Sequence, residues 1–172
     1  ESMAHSYAHL FGLPVTMFRF FTVYGPWGRP DMAPWLFTSA IMAGQPIKVF
    51  NHGDMRRDFT YVTDLVRAIR LLMDAAPGDT PVGPADSLSP VAPFRVVNIG
   101  NGAPVELLDF IAAIETATGK PAIKQMLPMQ PGDVPATWAD TTLLRALTGY
   151  APQTLVPQGV AEYVDWYRSY YL

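Results

Sequence analysis

A chain of 172 residues is long enough to bury a core and is sized for one domain, or one domain with part of another. Apolar residues make up 49% and charged residues only 16%, which excludes a chain too polar to offset its ordering entropy, and a net charge of −3 argues against nucleic acid as a partner. No apolar run nears the roughly 18 residues a membrane helix needs. The lack of cysteine excludes disulfides, thiolate zinc sites and cysteine nucleophiles, and suits a cytoplasmic protein.

Glu1 opens the chain without an initiator Met, a basic leader or an apolar signal core, so the sequence reads as a piece of a longer protein. Met3, Tyr7, Leu10 and Phe11 recur at helical spacing, and Gly12 with Pro14 stops that helix. Val15 to Phe21 is nearly all apolar, as a strand buried on both faces of a parallel sheet would be. A helix followed by such a strand predicts an α/β fold. Proline, glycine and Trp27 make 25–34 an irregular loop, and Trp35 to Ala43 reads as a helix ended by Gly44.

Ile47 to Phe50 and Asp58 to Val62 read as short strands around the Asn51-His52-Gly53-Asp54 turn, in a hairpin or a close crossing. Thr63 is a natural N-cap for a helix whose stripe is Leu65, Val66, Ile69, Leu72 and Met73. Ala75 to Pro93, rich in proline, reads as a surface loop open to disorder. Beyond it, Arg95 to Ile99 predicts a strand, Pro104 to Thr118 a helix closed by Gly119, and Ala122 to Leu127 a strand. A loop over 129–135, a short helix from Thr141 to Leu147 and a closing helix from Val156 to Tyr170 follow.

His5 and His9 share a helix face at a spacing that suits a metal, but no third ligand accompanies them, and no metal site is expected. Arg29, Arg56 and Arg57 fall in or beside loops at strand ends, where doubly wound sheets place their ligands. Guanidinium groups hold phosphate oxygens through parallel hydrogen bonds. Composition alone leaves these arginines as solvated loop residues.

The local sequence adds more. Phe18 to Met32 (FRFFTVYGPWGRPDM), Arg57 to Asp64 (RDFTYVTD), Val97 to Asn101, Gln130 to Val134 and Thr137 to Asp140 resemble, in that order, the extended short-chain dehydrogenase/reductase superfamily. Within it the series is similar to nucleotide-sugar epimerases, nearest to UDP-glucuronate 4-epimerase. The resemblance implies the last part of a Rossmann-type parallel sheet followed by a smaller C-terminal substrate-binding domain. Residues 1–25 would end the NAD-binding domain, and 26–172 would form the nucleotide-sugar domain, with 95–118 returning to the Rossmann sheet. NAD is the implied cofactor and a UDP-sugar the implied partner. A homodimer of the full-length protein, formed through Rossmann helices, is expected, with neither nucleic acid nor membrane as a partner.

The family's glycine-rich turn and its Tyr-x-x-x-Lys pair are absent from these residues, so no catalytic residue is expected in this chain. Tyr163 is followed at the matching spacing by Tyr167 rather than lysine. By the resemblance, Phe20 and Val23 would touch the nicotinamide side. Thr22 would contact the sugar or its carboxylate, or else cap the strand end. Arg29 would lie near the sugar diphosphate, and Arg57 matches the shared diphosphate arginine, while Arg56 is expected in solvent. Val49 and Phe50 would flank the uracil, and Asp133 would sit near the ribose or the phosphates. Gln130 stands where galactose epimerases carry an arginine. A 4,6-dehydratase, a UDP-glucuronate decarboxylase and a non-catalytic nucleotide-sugar-binding module remain as alternatives.

Overall fold

The first helix, α1 (Ser2–Phe11), stops where Gly12 turns left-handed at φ 63°. The chain then runs through β1 (Val15–Phe20), β2 (Thr22–Tyr24), α2 (Ala33–Met42) and β3 (Pro46–Val49). A 3₁₀ turn at Phe50–Gly53 leads to β4 (Arg56–Arg57), β5 (Phe59–Tyr61) and α3 (Val62–Met73). A long irregular segment precedes β6 (Phe94–Ile99), β7 (Val105–Glu106) and α4 (Leu107–Thr118), and β8 (Ile123–Met126), β9 (Ala136–Thr137), α5 (Thr142–Thr148) and α6 (Val156–Tyr171) complete the fold. The computed structural model describes every residue from Glu1 to Leu172.

Pairing is mostly parallel and long-range. β1 lies beside β6 with Val15 opposite Phe94, β2 beside β5 with Thr22 opposite Phe59, and β3 beside β8 with Pro46 opposite Ile123. β4 pairs antiparallel with β7 and parallel with β9. Strands 46–49 and 59–61 therefore form no hairpin, because each finds a distant partner. Asn51 and His52 both take left-handed conformations in the turn between them. The Asn51 side-chain amide donates to the Asp54 carbonyl at 2.7 Å, and the His52 amide ties the turn to Leu127 at 3.0 Å.

Two cores result. One gathers Tyr24, Phe37, Ile47, Val49, Phe59 and Ile111 with the inward faces of α2, α4 and α6; Phe59 stacks on Phe110 at 3.9 Å between ring centroids. The other gathers Leu65, Ala68, Leu72, Val97, Ile99 and Leu144 under β1 and β6. Strand 94–99 thus joins 15–20, whereas α4 packs on α2 and α6.

Other local expectations need correction. β1 is only half-buried and is exposed at Arg19 and Phe20, since β6 covers one edge alone. Helix α3 starts two residues early, with Tyr61 at the cap position and no side-chain cap, so Thr63 lies inside it and is exposed. The 75–93 segment is anchored rather than loose. The Asp86 carboxylate, fully buried, takes two hydrogen bonds from Arg95, at 2.8 and 2.9 Å, and two more from the Leu88 and Val82 amides. Burial raises the Asp86 carboxyl's affinity for its proton, and these donors outweigh it, leaving the group below the usual carboxylate range.

Candidate nucleotide-sugar site

The site begins with a two-residue strand. β4 is held between β7 and β9, and this fixes the two arginines on opposite tasks. Arg56 pairs with Glu106 across the ladder at 2.6 Å, so it is a ladder ion pair rather than a free solvated arginine. The Arg57 guanidinium is mostly buried and donates to Asp133 at 2.8 Å, to the Arg56 carbonyl at 2.9 Å and to the Pro135 carbonyl at 3.2 Å. Asp133 also accepts from the Val134 amide at 2.8 Å, which shapes the end of the 129–135 loop. The arginine is thereby oriented before any ligand arrives.

Arg57 and Asp133 border a cavity of about 770 Å³. Its floor is apolar, with Phe37, Ile47, Met55, Phe59 and Leu107, and its polar groups are few: Thr22, Asp31, Lys48, Arg57, Gln130 and Asp133. An apolar cleft with a few convergent polar groups suits a ligand that has both a flat, weakly polar part and an anionic part. Phe50 lies on its wall, supplying an aromatic ring beside the cationic groups. No carboxylate lies within ion-pair distance of Lys48, so its ammonium is free for an anion.

Comparison with known proteins gives this cavity a setting. Residues 1–83 match the model of the NAD dependent epimerase/dehydratase family. A probable UDP-glucuronate 4-epimerase of Rhizobium meliloti (strain 1021) is 55% identical over 175 residues, covering 99% of this chain and 51% of that protein. UDP-glucuronate 4-epimerase 4 of Arabidopsis thaliana is 42% identical over 99% of the chain and 40% of its own length. The crystal structure of UDP-glucuronic acid 4-epimerase from Bacillus cereus, in complex with UDP-glucuronic acid and NAD, has a TM-score of 0.82 at 30% identity. That likeness covers 99% of this chain and 50% of the crystal chain. The chain spans about half the length of the curated relatives it matches.

Four of the site residues expected from sequence converge on the cavity: Thr22, Phe50, Arg57 and Asp133. Arg29 lies outside it, paired with Asp31 in an exposed bidentate ion pair, and it is Asp31 that borders the cavity. Val49 is fully buried; strand alternation turns it and Ile47 inward, while its carbonyl accepts from the Leu127 amide at 2.9 Å. Phe20 and Val23 lie apart from the cavity. Phe20 is half-exposed at the end of β1, stacked on Phe18 at 6.0 Å, and Val23 packs on the second core.

Lys48, Met55 and Leu107 were not singled out by sequence. Lys48 alternates with two buried neighbours on β3, and that period-2 pattern was its only signal. The paired histidines of α1 do something local instead: His5 reaches Ser89 at 2.8 Å and His9 the Val91 carbonyl at 2.6 Å, strapping the 75–93 segment to α1. No cluster of three or more His, Asp or Glu side chains is arranged to hold a metal ion, and no helix is long and apolar enough to cross a membrane.

Proposed function

We propose that this chain is the nucleotide-sugar-binding part of an NAD-dependent UDP-sugar 4-epimerase that interconverts UDP-glucuronate and UDP-galacturonate. The observation that carries the reading is the preoriented Arg57 at the edge of a half-apolar cavity, in a chain 55% identical to a probable UDP-glucuronate 4-epimerase. Residues 1–25 would close the cofactor-binding domain and 26–172 would mainly form the sugar-nucleotide domain, with 94–99 lying in the cofactor-side sheet beside β1. The finished protein would be a cytoplasmic homodimer.

The residues present fit one edge of an NAD site. The parallel strands β1 and β6 end at Phe20 and Ile99, on the side where doubly wound sheets bind their ligands, and Phe20 offers an exposed ring there. NAD, when bound, supplies the hydride acceptor and donor for C4 of the sugar. The rest falls to binding and orientation. Arg57 holds the diphosphate with a planar fork, Phe50 and the apolar floor take the uracil, and Thr22 donates its hydroxyl to the sugar carboxylate. Anchoring the diphosphate leaves the sugar ring free to present either face for epimerisation.

No Tyr-x-x-x-Lys pair occurs within the 172 residues, so the chain by itself would not turn over substrate. The full-length protein, incubated with UDP-glucuronate and followed by proton NMR, should form UDP-galacturonate, while the isolated chain should form none. Release of carbon dioxide with a pentose product would instead make it a decarboxylase, and turnover by the isolated chain would overturn the division of labour.

A further inference from the structure

Asp58 stands between Arg57 and Phe59, both of which border the cavity, yet it does not border the cavity itself and is fully buried. Its carboxylate meets no cation, since the neighbouring Arg57 turns away to Asp133. It is satisfied by donors from three separate pieces of chain. Oδ1 accepts from the Asn101 amide at 2.8 Å and from the Thr60 hydroxyl at 3.2 Å. Oδ2 accepts from the Gly102 amide at 2.9 Å and the Ala139 amide at 3.0 Å. The main chain adds two more ties, with the Asp58 carbonyl accepting from the Thr22 amide at 3.0 Å and its own amide donating to the Thr137 carbonyl at 3.1 Å. Gly100 makes the approach possible, because a Cβ there would lie 2.6 Å from Oδ2.

Burying a carboxylate without a countercharge is costly, and backbone amides are what compensate it here. What the cost achieves is placement. Asn101 and Gly102 follow β6, on the side of the sheet that includes β1; Ala139 follows β9, which holds β4; and Thr22 opens β2. The side chain of Asp58 therefore fixes the segments after β6 and β9 beside Arg57, and its main-chain carbonyl holds Thr22.

We infer that Asp58 is a positioning residue for substrate binding: it touches no ligand, but its carboxylate ties the 101–102 and 139 segments to the chain between β4 and β5, beside Arg57, while its carbonyl holds Thr22. The inference rests on the cavity being the UDP-sugar site. It separates two kinds of consequence. A carboxylate that only stabilises the fold changes the folded fraction and the melting temperature. One that positions the site also changes the affinity of the molecules that remain folded.

The test uses the full-length protein, with UDP as the probe in titration calorimetry and the active fraction fixed by NAD binding. Asp58→Asn keeps the shape but turns an amide NH₂ toward backbone donors, and the UDP Kd should rise about tenfold, as loss of one charge-assisted hydrogen bond would give. The NAD Kd should rise less than the UDP Kd, and KM for UDP-glucuronate should rise more than kcat falls. Thr60→Val removes one arm of the network while leaving the carboxylate; it should raise the UDP Kd about threefold, and it decides the matter if Asp58→Asn fails to fold. An unchanged UDP Kd in the folded fraction of either variant, beside a lowered melting temperature, would overturn the inference. Arg57→Ala is the control. If it binds UDP normally, the cavity reading fails and the inference with it; if it binds weakly while the Asp58 and Thr60 variants bind normally, only the inference fails.

Discussion

The two cores of this chain differ in what they leave uncovered. The core around Phe59, Phe110 and Ile111 is closed by α2, α4 and α6, and beside it lies the cavity. The β1–β6 side is packed on one face by α3 and α5, while α1 nearby presents Met3, Tyr7, Leu10 and Phe11 to solvent, at 55 to 77% exposure. Contiguous apolar side chains in solvent mark a contact surface. The cavity side is thus closed by its own chain, and the β1–β6 side is covered only in part.

The largest effect expected falls on the less complete side. Asp86→Ala leaves Arg95 buried without its partner, which costs about 3 to 5 kcal/mol, and a denaturant titration should show that loss with UDP affinity preserved. A loss below about 1 kcal/mol, the range of surface pairs, would mean that the segment supports itself. The same pair sets an acid limit. Because the folded Asp86 carboxyl lies below its unfolded value of about 3.9, its contribution is complete above that pH and is lost as pH falls through the folded value. Asp64 adds to this limit: burial raises its proton affinity, but donors from Thr154, Tyr150 and Gln153 outweigh that and leave it low as well. Melting curves should therefore be flat with respect to these two groups above pH 5 and should drop below pH 4.

On the cavity side, Arg57→Ala should weaken UDP-sugar binding by about 1.5 to 3 kcal/mol while leaving NAD affinity intact. Calorimetry showing equal loss for both ligands would make the Arg57–Asp133 pair a purely structural one. A smaller effect belongs to Thr22→Val, which removes the donor but keeps the shape. The ratio of kcat/KM for UDP-glucuronate to that for UDP-glucose should fall by about tenfold, the equivalent of roughly 1.4 kcal/mol. An unchanged ratio with a lowered melting temperature would assign Thr22 to capping the strand end.

The same contrast explains what could be read from the sequence. Helix ends were legible because Gly12 and Gly119 mark them with a conformation other residues avoid, and the Arg57-Asp58-Phe59 series marked the site. Strand partners were not. The apparent hairpin between 47 and 62 failed because β3 and β5 satisfy their backbone groups with strands distant in sequence, and local patterning carries no record of such partners. β4, β7 and β9 are only two residues long, too short for any periodicity, yet they hold Arg57. Arg29 and Arg57 both read as loop arginines near a phosphate. Only the fold separates them, by giving one an exposed neighbour in Asp31 and the other a place at the cavity. Lys48 went unnoticed because a single lysine in a short strand is ordinary until the cavity forms around it.

The most direct test is calorimetry on the isolated 172-residue chain, titrated in parallel with UDP and with NAD. UDP should bind with one site, and that binding should be lost in Arg57→Ala, whereas NAD should give no saturable heat. NAD binding as tight as that of UDP, or UDP binding indifferent to Arg57, would contradict a chain that carries the nucleotide-sugar site and only the edge of the cofactor site.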